Sequence, residues 1–195
     1  MRTVRTTKPT LPAAAMRGTT MIEVLVTIVI LAFGLLGLAG LEARLQQSEL
    51  EAYQRAQALV LLNDMANRIE ANRKNVASYV TGPGSPVGFG MACPVPTNTA
   101  TLEQTDTSQW CNALQGGGEL SGAAKVGALV GGRGCVEALG NNEYLLTVTW
   151  QGVGPISAPP LSVACGKDSY NGGPRCTLDL CRRVVTTIVR VGSLS

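Results

Sequence analysis

The stretch that decides the fold is Gly18-Thr19-Thr20-Met21-Ile22-Glu23-Val24-Leu25-Val26-Thr27-Ile28-Val29-Ile30-Leu31-Ala32-Phe33-Gly34-Leu35-Leu36-Gly37-Leu38-Ala39-Gly40-Leu41. No charged residue falls between Val24 and Leu41. As a helix, such a run is about as long as a bilayer is thick, which takes roughly 20 residues. Four basic residues precede it (Arg2, Arg5, Lys8 and Arg17), with no acid among them. That bias orients a membrane segment with its N-terminal flank in the cytoplasm. One carboxylate, Glu23, stands at the apolar edge.

Three readings compete. A secretory signal peptide carries an apolar core of roughly 7–15 residues and is cut behind it; here the core is longer, and Glu23 interrupts its start. A plain membrane anchor accounts for the length and the basic flank but not for the carboxylate. In the third reading the chain is cut in front of the apolar run. A carboxylate in the apolar zone is costly, and such residues are functional candidates by default. A newly exposed amine in front of the apolar run would supply its counter-charge, in the same subunit or a neighbouring one. Among packed N-terminal helices that pairing would favour one axial register. The simpler alternative is a Glu that reaches back to the interface.

Gly18 to Val26 resembles the class III leader junction of type IV pilins and of type II secretion pseudopilins. The resemblance implies that a prepilin peptidase cuts after Gly18 and leaves Thr19 as the mature N-terminus. It makes Glu23 the carboxylate at the fifth mature position, the one used in assembly. The family most often has Phe at the first mature position, N-methylated after cleavage. Thr19 departs from that, so methylation there is carried by the resemblance alone. Met16 is a second possible start and would shorten the leader to three residues.

Over 195 residues the formal charge is +3. The leader holds four of the 16 basic groups and none of the 13 acidic ones, so the remainder has 12 basic and 13 acidic groups, near −1. The basicity belongs to the leader, and no basic stripe interleaved with aromatics points to nucleic acid. Histidine is absent, which removes the Ser-His-Asp and Cys-His nucleophile sets and most metal sets. Gly116-Gly117-Gly118 lacks the Lys and the flanking strand of a phosphate loop, and nothing positions Asp168 and Asp179 as an acid–base pair. The chain reads as a non-enzyme without a cofactor.

Six cysteines stand at Cys93, Cys111, Cys135, Cys165, Cys176 and Cys181, all downstream of the apolar run. An even set behind a membrane segment points to disulfides in an oxidising compartment rather than to zinc. Cys93–Cys111 is a local closure that suggests itself; Cys165, Cys176 and Cys181 share one loop region. The other pairings stay open.

One continuous helix is expected from about 20 to 77, since that span has no proline. At 1.5 Å rise its roughly 58 residues would measure about 85–90 Å. Gly34, Gly37 and Gly40 are its weak points, read either as close helix contacts or as a place to bend on leaving the bilayer. After Leu41 the pattern becomes amphipathic, with Leu45, Ala52, Ala56, Leu59, Leu62, Ala66 and Ile69 on one stripe. Asn63-Asp64-Met65-Ala66-Asn67-Arg68-Ile69-Glu70-Ala71-Asn72-Arg73 and Gly34-Leu35-Leu36-Gly37-Leu38-Ala39 resemble the PilV-like group of minor pilins. The two resemblances together cover roughly residues 17–75.

Gly82-Pro83-Gly84 and Pro86 end the helix, and residues 81–107 read as mostly irregular. Ser108 to Gln115 is a short helix with Trp110 as a core anchor. Strands are expected at 135–139, 143–150, 161–165 and 181–191, with Gly140-Asn141-Asn142 as a turn. The fold class is therefore α+β, of the type IV pilin kind: a long N-terminal helix whose second half packs on an antiparallel sheet of about four strands. In that family the stretch before the last strand is a disulfide-closed loop.

The expected organisation is a cytoplasmic leader (1–18), an apolar transmembrane and filament-core helix (19–41) and a periplasmic domain (42–195). The resemblance implies a minor pilin that starts out in the inner membrane and then joins a pilus tip or priming complex. It implies as partners the prepilin peptidase, other minor pilins, the major pilin, a large tip adhesin and the inner-membrane assembly platform. Three alternatives remain: a type II secretion minor pseudopilin, a competence-type pilin that contacts DNA, and a membrane-anchored domain that never polymerises.

Overall fold

A computed structural model describes residues 20–122, 124, 125, 127 and 129–192. They fall into two compact units, Met1–Arg44 and Leu45–Ser195. Helix α1 (Met21–Ala71) belongs to both.

In the first unit α1 begins at a hydrogen-bonded turn. The Val24 amide makes the first regular helix bond to Thr20 O at 3.3 Å and the Glu23 amide donates to the same oxygen at 3.0 Å, so Thr20 satisfies one donor that a helix start leaves free. The helix runs on through Gly34, Gly37 and Gly40, and open space surrounds the missing Cβ of each. Fourteen large apolar side chains between Met21 and Leu41 are exposed. Burying them would contribute on the order of 20 kcal/mol, and apolar surface on this scale marks a site of membrane or protein contact. By length and composition it is able to cross a membrane once.

In the second unit α1 buries Gln54, Ala58, Leu62, Met65 and Ile69, spaced four, four, three and four. This corrects the expected stripe, of which only Leu62 and Ile69 are buried. Leu45 and Leu59 are exposed, as are Ala52 and Ala56. The sheet lies against a face rotated from the one that apolarity alone selects. Regular α-helix also ends sooner than expected, at Ala71, followed by a 3-10 segment over Arg73–Tyr79. Asn75 Nδ2 donates to Asn72 Oδ1 at 3.0 Å and Asn72 Nδ2 to Tyr79 Oη at 3.1 Å. Asparagines that bond locally in this way compete with helix continuation.

Among the described residues seven further elements follow: β1 (Val87–Gly88), α2 (Leu102–Leu114), β2 (Leu120–Ser121), β3 (Ala124–Lys125), β4 (Arg133–Gly140), β5 (Glu143–Gln151) and β6 (Arg182–Arg190). Helix α2 starts before the expected Ser108 because Thr101 and Gln104 form a capping box, each side chain satisfying a backbone amide of the other. The four-stranded sheet is antiparallel, in the order β1-β4-β5-β6, and β2–β3 form a separate small hairpin. Asn141 and Asn142 (φ 50° and 59°) make the two-residue turn between β4 and β5, as such hairpins require. Residues 161–165 are not the expected strand. They follow Pro159-Pro160, and the Val163 amide closes a turn on Pro160 O at 3.0 Å. The two-residue β1 occupies the fourth place instead.

Tyr144, Leu146, Val148 and Trp150 of β5 point into one core with Val185 and Val189 of β6, Val136 of β4 and the buried stripe of α1. Trp110 is fully buried, as expected, and its Nε1 donates to Leu61 O at 2.9 Å. Its ring lies where a side chain at Gly134 would be, 2.2 Å from the position of a Cβ. A long N-terminal helix and a four-stranded antiparallel sheet make this an α+β arrangement with the layout of a type IV pilin.

Candidate functional site

Two regions carry the features expected to matter. The first is the start of α1. Glu23 lies in its first turn, where the free amides and the helix dipole favour a negative charge. Glu23 is exposed and makes no ion pair among the described residues. Thr27 Oγ1 donates to Val24 O at 2.8 Å, so this hydroxyl adds no free polar group to the apolar surface. Gly18 and Thr19, the expected cleavage and methylation positions, lie outside the described residues.

The second region is the disulfide-braced domain. All six cysteines pair, as Cys93–Cys111, Cys135–Cys165 and Cys176–Cys181. The first is the local closure expected from sequence. The second crosses from β4 to the long segment before β6 and holds that segment over the outer face of the sheet. Thr147 and Thr149 on that face are completely buried as a result. Gly166 packs on Thr149, where a Cβ would come within 2.7 Å of Cγ2. Tyr170 Oη donates to Gly131 O at 2.8 Å and is 3.1 Å from Thr149 O. Burial pushes the Tyr170 phenol up, with Arg133 acting against it.

Asp168 and Asp179 are placed by this loop and do not face each other as an acid–base pair. Asp179 Oδ1 accepts from the Asp168 amide at 2.9 Å, and Oδ2 lies 3.2 Å from Arg182 Nε. Arg182 Nη1 donates to Val163 O and Cys165 O at 2.8 and 3.0 Å. Arg183 reaches the other way, to Glu51 on α1 at 3.0 Å and Gly154 O at 2.7 Å. In the sequence Arg182-Arg183 is too short a basic run to count as a nucleic-acid patch, and nothing local there signals these bracing contacts.

A third cluster, also unanticipated, joins α1, the 3-10 segment and α2. Arg68 Nη1 donates to Asp106 Oδ1 at 2.8 Å and Arg68 Nε to Asp64 Oδ2 at 2.9 Å. Tyr79 Oη donates to Asp106 Oδ2 at 2.5 Å. Burial, and next the Asp106 carboxylate, push the Tyr79 phenol up to about 12. Elsewhere burial raises the Glu137 carboxyl. Every group in the Arg68–Asp106–Tyr79 cluster has a partner, so it braces the fold rather than offering a reactive group.

Among the described residues no group of His, Cys, Asp and Glu side chains gathers as a metal set. What the arrangement offers is surface: an apolar helix with one carboxylate at its start, and a braced domain. Comparison with models of protein families, with curated proteins and with solved structures gives no match to this chain.

Proposed function

We propose that the chain is a pilin-like subunit, of the PilV-like minor pilin kind, that helps to start type IV pilus assembly. The precursor enters the inner membrane with its leader in the cytoplasm and its domain in the periplasm. A prepilin peptidase removes residues 1–18. The apolar half of α1 then exchanges lipid for the helices of neighbouring pilins, and Glu23 pairs with an N-terminal amine. By resemblance, its partners are other minor pilins, the major pilin, a large tip adhesin and the assembly platform.

One observation carries this reading: the bare apolar surface of α1 begins at a carboxylate, five positions after a glycine that follows a basic leader. A lipid anchor has no use for Glu23, whereas a helix that must find one register among equivalent neighbouring helices does. Cleavage in front of the apolar run, not behind it, is what supplies the matching amine.

Shearing filaments from cells that express the full chain tests the reading. The protein is expected in the sheared fraction, and a strain lacking it is expected to form fewer pili. Retention of all the protein in the membrane fraction would contradict the reading. Loss of protein export with normal piliation would move the chain to the secretion pseudopilins.

A further inference from the structure

The four-stranded sheet has two edges, and they are treated differently. On the β4 side β1 pairs with Arg133 and Gly134. Further along, the Thr81 and Gly82 amides donate to Val136 O at 3.0 and 3.1 Å, and the Val136 amide donates to Thr81 Oγ1 at 3.1 Å. That edge is closed from Arg133 to Val136. The same bonds fix the phase of the whole ladder. Val136 turns its amide away from β5, so its partner Leu146 turns toward β6, where it faces Thr187. Arg183, Val185, Thr187 and Val189 therefore bond to β5. The Val191 amide, which donates to Asn142 O, and the Arg182 amide, which donates outward to Asp179 O, agree with this phase.

It follows that the amides and carbonyls of Val184, Thr186 and Ile188 point off the free edge of β6. Among the described residues none of them has a backbone partner there. Exposed strand edges are normally blunted by proline, charged side chains (lysine above all), a bulge or a covering segment. β6 has no proline, lysine or glycine; its charges, Arg182, Arg183 and Arg190, stand at its two ends and leave residues 184–189 uncharged, and its nine-residue register with β5 is unbroken. Thr186 and Ile188 are exposed.

At the Val184 end of this edge lies a concavity of about 360 Å³, lined by Glu51, Ala52, Arg55, Ile156, Arg183 and Val184 among others. Glu51 is engaged by Arg183 at 3.0 Å. Arg55 has no ion pair among the described residues, so the concavity carries one uncompensated positive charge. β6 holds no acid that could meet it on a second copy of this chain. Two β6 edges paired antiparallel about Thr186 would also set Arg190 against Arg182, and like charges directly opposite are unfavourable.

We propose that the free edge of β6 is a docking strand for an extended segment of another protein. That segment is rich in β-branched residues and carries a carboxylate that comes to lie beside Arg55. Main-chain hydrogen bonds to Val184, Thr186 and Ile188 would supply affinity, and the acid would supply selectivity. The proposal does not depend on filament assembly.

Amide hydrogen exchange of the full-length protein in detergent tests it. The probe is an eight-residue alternating Val-Thr peptide with Glu at both ends, compared with the same peptide ended by Lys. The Glu-ended peptide is expected to slow the Val184, Thr186 and Ile188 amides by at least about tenfold, while Val185 and Thr187, already bonded to β5, do not change. Thr186→Pro should abolish the effect, since it removes an outward amide at a position where an edge strand tolerates proline. Thr186→Val should keep it. Arg55→Glu, on an exposed helix position, should lower the affinity for the Glu-ended peptide about threefold and favour the Lys-ended one. If Thr186→Pro also loses protection at Val185 and Thr187, the Arg55→Glu reversal decides the matter. The proposal is overturned if those three amides are already protected in the free protein, or if saturating peptide leaves them unchanged. Equal binding by a folded Thr186→Pro variant, or indifference of Arg55→Glu to the peptide's charge, would overturn it as well.

Discussion

Tyr79 and Asp106, 27 residues apart, meet through a 2.5 Å hydrogen bond in the interior of the domain. The phenol donates to one carboxylate oxygen while Arg68 donates to the other. The bond joins the 3-10 segment after α1 to helix α2, and both residues are buried. Tyr79→Phe removes the donor and leaves Asp106 Oδ2 short of a partner. The expected cost is about 1–3 kcal/mol, measured as a lower midpoint in chemical unfolding.

The same bond has a pH signature. The folded state raises the Tyr79 phenol from 10.0 to about 12, so folding favours its neutral form. That stabilisation is complete below the unfolded value and is lost as pH rises through the folded one. The stability difference between the protein and Tyr79→Phe should therefore hold steady up to pH 10 and shrink between pH 10 and about 12. A difference that did not move across this window would mean the phenol is not held as described.

The three disulfides should rank by the length of chain they close. Cys135–Cys165 spans 30 residues, Cys93–Cys111 spans 18 and Cys176–Cys181 spans 5. On chain entropy alone their removal costs about 3.6, 3.2 and 2 kcal/mol. Paired Cys→Ser variants unfolded in denaturant should follow that order. Loss of Cys135–Cys165 should do additional damage, because it frees the segment that buries Thr147 and Thr149.

Gly134 is a packing requirement and not a turn. A Cβ there would fall 2.2 Å from the Trp110 ring. Gly134→Ala should destabilise by about 1–3 kcal/mol and shift the Trp110 fluorescence, whereas Gly154→Ala, with open space around it, should change neither through contact.

Glu23→Gln keeps the apolar helix and removes the charge. Membrane insertion should be unchanged, and recovery in sheared filaments should fall at least about tenfold, the equivalent of one lost charged hydrogen bond. Normal recovery would assign Glu23 to the membrane interface and not to assembly.

Much of the fold was legible in the sequence because its signals are local. The uncharged run from Val24 to Leu41, the alternation of Tyr144, Leu146, Val148 and Trp150, and the buried Trp110 each follow from periodicity or composition. The Cys93–Cys111 closure followed from proximity in the chain. Long-range packing was not legible. The stripe that α1 buries runs through polar Gln54 and passes over Leu59, because the position of the sheet, and not apolarity, selects it. Strand β1 has two residues and no periodicity to find. Segment 161–165 looked strand-like, but Pro159-Pro160 and the disulfide at Cys165 set its path. The Arg68–Asp106–Tyr79 cluster joins residues far apart in sequence and had no local signature.

The central claim is that the chain is cut in front of its apolar helix and keeps that helix. The mass of the mature N-terminus, taken on protein isolated from its native membrane or filaments, tests this most directly. The account predicts a chain that begins at Thr19 with the apolar helix intact, methylated or not. A chain that still begins at Met1 or Met16, or one that starts beyond Leu41, would contradict it.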